Sequence, residues 1–561
     1  MTAPVLDRPL SDECAAIWKA TLDQERREKI ARLQPPHVRV WDGAWNWQGD
    51  IAAEYQGTFS WVSNDTGAGE IELPFDHYVA RWIWDERGRM ERGEYRNVHI
   101  TVEKDGARWG GRLETVAVDK RSDGSVVLVC TFLHDYENLK WYQVPPNPFL
   151  PINLIQFPRV FMLAGGARWA LLTTLLFQIM REQTSIWSLP DDPLSGNTWG
   201  SLDQSNWSVA VKPHSFMDDM NDGILWAFVA SRFQTWHDIA KPILEDAELS
   251  VVCRRYLDGD PPPWPGANLR HGCLVIDIVD KSGYYMGTSN GGTIWDGLRQ
   301  TVANFASDFI DTTESLINDT DIPSEYYQAN WMGTMKRLPV VQYWEGEETG
   351  IQTSKFTRIP TKGVQVNAGG KSMPGVNELI SAAIQTIGDL TAMIPFAPPL
   401  GGAADAILQP FYTDTILAWH SIKSVQRANN SGWSRYYEYF QQGANRAYTL
   451  SALMVLRTGF WATRGRFAHE LTVADGAPWL IGDNGHGHFF LDDRIGAVIA
   501  GDWTGQVHVD RVRELTLSWN RDSAAEWMPV IGDRSALKDP AERAMEKIEH
   551  MLSMISALGV Y

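Results

Sequence analysis

Cysteine is scarce in this chain of 561 residues: Cys14, Cys130, Cys253 and Cys273 lie far apart and form no CxxC pair. That spacing excludes a disulfide framework and a zinc ribbon. Familiar catalytic signatures are missing as well: there is no HExxH helix, no Walker loop, no GxGxxG fingerprint and no kinase set. Basic residues are outnumbered, 50 Lys and Arg against 69 Asp and Glu, for a net charge of −19. Phosphate-backbone binding and attachment to anionic lipid both rely on Lys and Arg, so both are disfavoured. Long apolar runs are lacking too. The clean part of residues 160–180, from 169 to 180, would span about 18 Å as a helix against roughly 30 Å of hydrocarbon. Residues 375–419 are interrupted by Asp389, Pro395, Pro398, Pro399 and Asp405. The opening MTAPVLDRPLSDECAAIW has no basic segment followed by an apolar one, so synthesis in the cytoplasm is expected, and with none of the cofactor-binding signatures above no cofactor is expected. The Asn-x-Ser/Thr matches at Asn206, Asn318 and Asn429 then carry no glycosylation reading.

What the chain has in excess is tryptophan, 26 copies. A large apolar ring with one N–H donor serves carbohydrate or protein contact, or aromatic packing in β-domains. Apolar residues at 44% and charged residues at 21% place the chain with ordered globular proteins, and its length suggests about three or four domains.

The pattern along the chain predicts an α+β, multi-domain protein. Residues 1–36 form an N-terminal helical arm, with Ser11 as its cap and Pro35-Pro36 as its stop. Residues 37–145 alternate in polarity and carry turn signals at Asp65-Thr66-Gly67 and Ser122-Asp123-Gly124, the mark of a small β-barrel-like unit with one short helix near Tyr78. Residues 146–262 read as a mainly helical insertion, strongest at 161–180 and 224–249. A β-rich stretch at 263–372 holds the best buried-strand candidate, 273–279, and a strand pair at 340–344 and 353–358. Residues 373–465 are an apolar helical insertion, 466–535 return to strands, and 536–561 form a C-terminal helix.

That last helix has an acidic cap at Asp539, Pro540 at its first position and Glu542 three residues after the cap. Met545, Ile548, Leu552 and Ile555 are spaced 3, 4 and 3. They make either a short seam between neighbouring chains or a face packed on the helix's own domain. The apolar insertion folds into a hairpin in which Ile394, Phe396 and Leu400 sit near the tip, packed against neighbouring copies or in contact with a membrane. His486 and His488, with Asp492 and Asp493 nearby, are the nearest thing to a metal site, since i and i+2 share one face of a strand. Without cysteine or HExxH support, a structural role fits them better. His271 lies two residues before Cys273 and could suggest an activated thiol, but the pair is not taken as a nucleophile. No residue is assigned a catalytic role.

Several phrases in order resemble one family, the minor tail proteins of actinobacterial (mycobacteriophage-type) siphophages that form the tail-tip hub. They are residues 38–82 with Glu70-Ile71-Glu72-Leu73-Pro74, residues 132–151, residues 374–415, and Gly432-Trp433-Ser434-Arg435-Tyr436-Tyr437-Glu438. The last ninety residues complete the set, with Gly485-His486-Gly487-His488, Asp493-Arg494-Ile495 and Asp510-Arg511-Val512. The resemblance implies a non-enzymatic, trimeric hub at the distal tip of the virion tail, with two β-barrel-like domains per chain (37–145, then parts of 263–372 and 466–535) and helical insertions. Three such chains adapt a six-fold tail to the tip and gate DNA passage during attachment and ejection. Implied partners are further copies of itself, a distal tail protein, the C-terminus of the tape-measure protein, other tip proteins, the host envelope, and DNA that passes without specific binding. The alternative is a carbohydrate-binding or cell-wall-degrading tail protein using Trp platforms and paired carboxylates.

Overall fold

A computed structural model describes residues 10–152, 155–184, 204–222, 224, 226–247, 249–281, 340–344, 350–369, 419–441, 456, 459–460, 462–463, 466–498, 501 and 507–532. The chain opens with helix α1 (Leu10–Leu33), which starts one residue ahead of the expected Ser11 cap. The end of the helix is fastened to the rest of the chain. The buried Lys104 ammonium donates to the carbonyls of Ala31, Arg32 and Gln34 at 3.0–3.2 Å, against the negative end of the helix dipole. Arg32 reaches the Asp475 carboxylate at 2.8 Å.

The first β-rich segment follows as β1 (His37–Asp42), β2 (Trp47–Ile51), β3 (Gln56–Val62), β4 (Ala68–Pro74), helices α2 (Tyr78–Trp84) and α3 (Glu86–Glu91), then β5 (Val98–Lys104), β6 (Ala107–Lys120) and β7 (Val126–His134). Alternate residues of β3 and β4 are buried, as the polarity of the sequence requires of a sheet with one wet face.

The middle segment alternates: β8 (Gln143–Val144), β9 (Phe161–Gly166), α4 (Ala167–Gln183), β10 (Val209–Val211), α5 (Phe216–Asp222), β11 (Trp226–Ser231), β12 (Gln234–Thr235), α6 (Trp236–Ala247), β13 (Leu249–Arg255) and β14 (Leu274–Asp280). This corrects the mainly helical expectation for 146–262. Each apolar run taken as one helix is a strand followed by a helix, and the two strands, β9 and β11, pair with each other over six residues. A short apolar run does not by itself distinguish a buried strand from a buried helix. The expected strand at 273–279 is β14, between β13 and β10 and buried over its first five residues.

The remainder comprises β15 (Val341–Tyr343), β16 (Ile351–Ile359), β17 (Gln365–Gly369), β18 (Trp419–Lys423), α7 (Val425–Asn430), β19 (Glu438–Phe440), β20 (Arg466–Val473), β21 (Arg494–Val498), β22 (Val507–Asn520) and β23 (Glu526–Ile531). β15 and β16 do not pair with each other as expected. β15 runs parallel to β21, and β16 antiparallel to β20.

Strands from both ends of the chain enter one sheet in the order β16–β20–β23–β22–β3–β4–β7–β6–β5–β1–β2, with β21 on β22 and β15 on β21. The seam between the halves is β3 against β22, seven antiparallel pairs from Gln56↔Asn520 to Val62↔Glu514. Glycine makes this seam possible. A Cβ on Gly57 would collide with the Trp519 ring opposite it, and one on Gly69 with Phe59 and Trp109. Phe59 then stacks on Trp519 at 5.6 Å and meets Trp109 edge-on at 5.0 Å, while Trp61 packs on Trp527 at 5.1 Å. A single apolar core spans both halves, from Val38 and Ile100 to Leu515 and Ile531. The middle segment has its own core around Leu171, Leu175, Trp236 and Ile276.

Buried polar contacts join the two cores. Asp492, fully buried, accepts from Ser63 (2.6 Å), Ser250 (2.5 Å) and Arg511 (3.0 Å), tying the ends of β3, β13 and β22 to one carboxylate. The Asn64 side chain bridges to β13 like a short strand, donating to the Leu249 carbonyl (2.8 Å) and accepting from the Val251 N–H (2.9 Å). Asp135 and Arg255 form a buried pair, Nε to Oδ2 at 2.8 Å, and the guanidinium lies over Trp45 at 4.5 Å. Two histidines flank this pair. His99 stacks on Trp45 at 4.8 Å, and His134 takes the Tyr136 N–H on its Nδ1 at 3.2 Å. Burial, aided by the nearby Arg255 charge, pushes both imidazoles down to about 4.

Both histidines are therefore neutral in the fold but titrate near 6.5 once unfolded, so the unfolded chain binds more protons between about pH 4 and 6.5. Stability is fully present above that window and is expected to fall with acidification, by up to about 1.4 kcal/mol per pH unit per histidine. Urea midpoints measured from pH 7.5 to 5 test this. His134→Asn, which keeps an acceptor for the Tyr136 N–H, should flatten the dependence by about half; an unchanged slope would mean that His134 is not held neutral.

Candidate functional site

The open surface that sequence chemistry and geometry single out together is the small sheet β18–β17–β19. β17 is central, antiparallel to β18 and parallel to β19. Its inner face buries Val366, Ala368 and Ile422, with Ala428, Leu456 and Phe460 also buried nearby. Behind it the buried Arg427 donates to Thr463 Oγ1 (3.0 Å) and the Phe460 carbonyl (2.9 Å), and Ser424 caps α7 by accepting from the Arg427 N–H. The inner face is therefore fixed, and the two-residue period sends the other side chains outward.

Register places these in rows. Lys423, Gln365 and Glu438 form one row, Ser421, Asn367 and Phe440 the next, and Trp419 stands beside Gly369, which has no side chain. The Trp419 and Phe440 rings meet edge-on at 5.6 Å. Together with Gln365, Asn367 and Ser421 they line a cleft of about 490 Å³. Gln365 Nε2 donates to Asn367 Oδ1 (3.2 Å) and to Glu438 Oε1 (2.9 Å). Beyond the first row, Lys423 lies 5.2 Å from the Tyr437 ring. Tyr436 and Trp433, in the turn before β19, are among the most exposed aromatic rings of the described residues.

Elsewhere the titratable groups are engaged in structure. Among the described residues no group of three or more His, Cys, Asp or Glu is placed to hold a metal. Burial pushes the Cys130 thiol up to about 12 and the Cys273 thiol to about 11, so both stay protonated. His271 accepts the Asp258 N–H at 3.0 Å and packs on Trp41, while the Cys273 sulfur faces the Leu274 carbonyl at 3.9 Å.

His486 and His488 do not lie on a strand. Asn484 and Gly485, both at positive φ, turn the chain there, and the two imidazoles are exposed. His486 lies against Gly106, whereas His488 accepts the Leu480 N–H (3.0 Å) and meets the Trp479 ring at 5.4 Å. Off a strand, positions i and i+2 have no set shared face. Nearby Asp492 is committed to the joint between the cores. Ile394, Phe396 and Leu400, and likewise Met545, Ile548, Leu552 and Ile555, lie outside the described residues. Among the described residues no helix is long and apolar enough to cross a membrane.

The Trp419 face is absent from the sequence expectations. Its signal is the alternation Gln365-Val366-Asn367-Ala368 and Trp419-His420-Ser421-Ile422-Lys423. It was hidden because Trp419 ends an apolar run read as helical, and β19 (Glu438–Phe440) falls in a stretch also read as helical.

Comparison with known proteins adds a global result. The model of the family described as Siphovirus ReqiPepy6 Gp37-like protein matches residues 37–533. The minor tail protein Gp28 of Mycobacterium phage L5 is 35% identical over 596 aligned positions, covering 98% of each chain. The minor tail protein Gp28 of Mycobacterium phage D29 is 34% identical, covering 97% of this chain and 98% of the relative. Among solved structures, a tail protein from Neisseria meningitidis MC58 aligns over 91% of this chain and 99% of its own at a TM-score of 0.37 and 11% identity. The chain belongs to the Siphovirus ReqiPepy6 Gp37-like family and is similar over nearly its whole length to the mycobacteriophage minor tail proteins.

Proposed function

We propose that this protein is a non-enzymatic minor tail protein that forms a trimeric hub at the distal tip of a siphophage tail. There it adapts the six-fold tail to the tip and gates DNA passage at ejection. The observation that carries the reading is the near full-length match to minor tail proteins. In this reading the two halves of the large sheet, either side of the β3–β22 seam, are the two barrel-like units of each chain. Its partners are other copies, the distal tail protein, the tape-measure C-terminus and further tip proteins. The net charge of −19 supports a channel through which DNA slides without sticking.

Gold-tagged antibody against the chain, imaged on virions, is expected at the distal tail tip and nowhere else. Label along the tail shaft, or none on intact and tip-opened particles alike, would defeat the hub assignment.

Met545, Ile548, Leu552 and Ile555 are proposed as the trimer seam. Sedimentation of the full chain is expected to shift from trimer to monomer in Ile548→Lys/Leu552→Lys. A trimer that survives the pair of substitutions would move the interface elsewhere.

Ile394, Phe396 and Leu400 are proposed as the contact with the host envelope. Co-flotation of the full chain with phosphatidylcholine vesicles should be lost in Phe396→Asp/Leu400→Asp. Absence of flotation by the unaltered chain would remove this role.

A second reading, carbohydrate binding through Trp, draws support from the outward face of β18–β17–β19.

A further inference from the structure

We propose that the outward face of β18–β17–β19 is a binding site for a neutral oligosaccharide, with Trp419 as the stacking platform and Gln365, Asn367 and Ser421 as the hydroxyl readers. This goes beyond the hub assignment and does not depend on it.

Trp419 is 54% exposed and Phe440 46%, so two large rings are held at the surface of a sheet whose other face is closed. Surface rings fixed by a rigid strand lose little entropy on binding and present a flat apolar plane. The C–H face of a sugar ring is apolar and flat enough to lie on such a plane. Gly369, beside Trp419 in the register, adds no side chain to compete for the space.

The floor specifies the rest. Gln365 donates its Nε2 hydrogens to Asn367 Oδ1 and to Glu438. That orientation leaves Gln365 Oε1 as an acceptor and turns Asn367 Nδ2 into a donor, next to the Ser421 hydroxyl, which can be either. Acceptor, donor and dual group in adjacent rows match a row of ring hydroxyls, each of which both donates and accepts.

Charge narrows the class. Among the described residues the cleft lining holds no charged side chain. In the adjoining row Lys423 and Glu438 offset each other, and the overall charge of −19 opposes phosphates, sulfates and nucleic acid. An extended peptide would be captured by the backbone of an edge strand rather than by side chains on a sheet face. A purely apolar partner would bury Gln365 Oε1, Asn367 Nδ2 and the Ser421 hydroxyl with nothing to satisfy them. A neutral polyol avoids all three penalties.

The test uses the full-length chain and immobilised arabinogalactan as the neutral probe, with heparin as the anionic one, read by biolayer interferometry. Saturable binding to arabinogalactan is expected, with none to heparin. Trp419→Ala and Asn367→Ala should each weaken it by about 10-fold, the size of one lost stacking or hydrogen-bonding contact. Trp419→Phe should recover part of the loss. Trp47→Ala, at an exposed ring on β2, should leave binding unchanged, and thermal melting should be the same for all variants. The proposal is overturned if arabinogalactan does not bind, if heparin binds equally well, or if a Trp419→Ala/Asn367→Ala double variant with unchanged melting still binds. Gold labelling of the tail tip is a separate readout, so failure of this site and failure of the hub assignment can be told apart.

Discussion

The pairing of β3 with β22 is the constraint from which the rest of the architecture follows. It joins residues 56–62 to residues 514–520, and a side-chain contact within it, Ser60 to Thr516, crosses 456 positions of sequence. Everything between is chain whose two ends are pinned. Loop-closure cost grows only logarithmically, about 0.6 kcal/mol for each doubling of length, so a large middle segment can sit between the halves at little extra cost. Register, however, must be right. A slip of one residue would turn Phe59 and Leu515 from the core to the solvent face. Trp519 fits only opposite Gly57, where no Cβ stands in its way, so packing itself selects the register.

Closing the sheet leaves the middle segment to be oriented, and this is done with buried polar groups rather than with more apolar surface. Asp492 gathers Ser63, Ser250 and Arg511, and Asp135 grips Arg255. Such pairs add little net stability, because desolvation offsets most of their attraction, but each tolerates few geometries and is costly to break. An apolar joint would permit sliding; a directional one does not. The two neutral histidines beside this pair follow chiefly from the same burial, which strips away the water that a charged imidazole needs.

Local features of the fold were legible in the sequence, and long-range ones were not. The first β segment shows in its alternation and in the turn at Ser122-Asp123-Gly124, and β14 shows as an unbroken apolar run. The β9–α4 and β11–α6 boundaries were lost because a buried strand feeding a buried helix reads as a single apolar stretch. No local pattern could reveal that β22 meets β3. Strand propensity shows that a segment wants a partner without saying which, so the two β segments read as separate units. The Trp419 face was missed for a related reason: its three strands come from distant stretches, and only the register assembles the row Ser421, Asn367 and Phe440.

Part of the tryptophan excess, ambiguous in the sequence, is accounted for by the indoles of the seam. Trp109, Trp519 and Trp527 donate to the Ser60 carbonyl, Glu54 and Asp105, and their rings fill the seam, so they are committed to holding the halves together. Trp419 and Trp433 are different. Both are more than half exposed, and both sit on or beside the small sheet rather than in the seam. An exposed indole adds nothing to the fold that a smaller polar residue would not supply, and it leaves apolar area in water. Exposure alone does not mark a site, since Trp18, Trp47 and Trp141 are also more than half exposed. The three seam rings are buried and hydrogen-bonded, whereas Trp419, on the small sheet beside Phe440, and Trp433 next to it present their rings to a partner outside the chain.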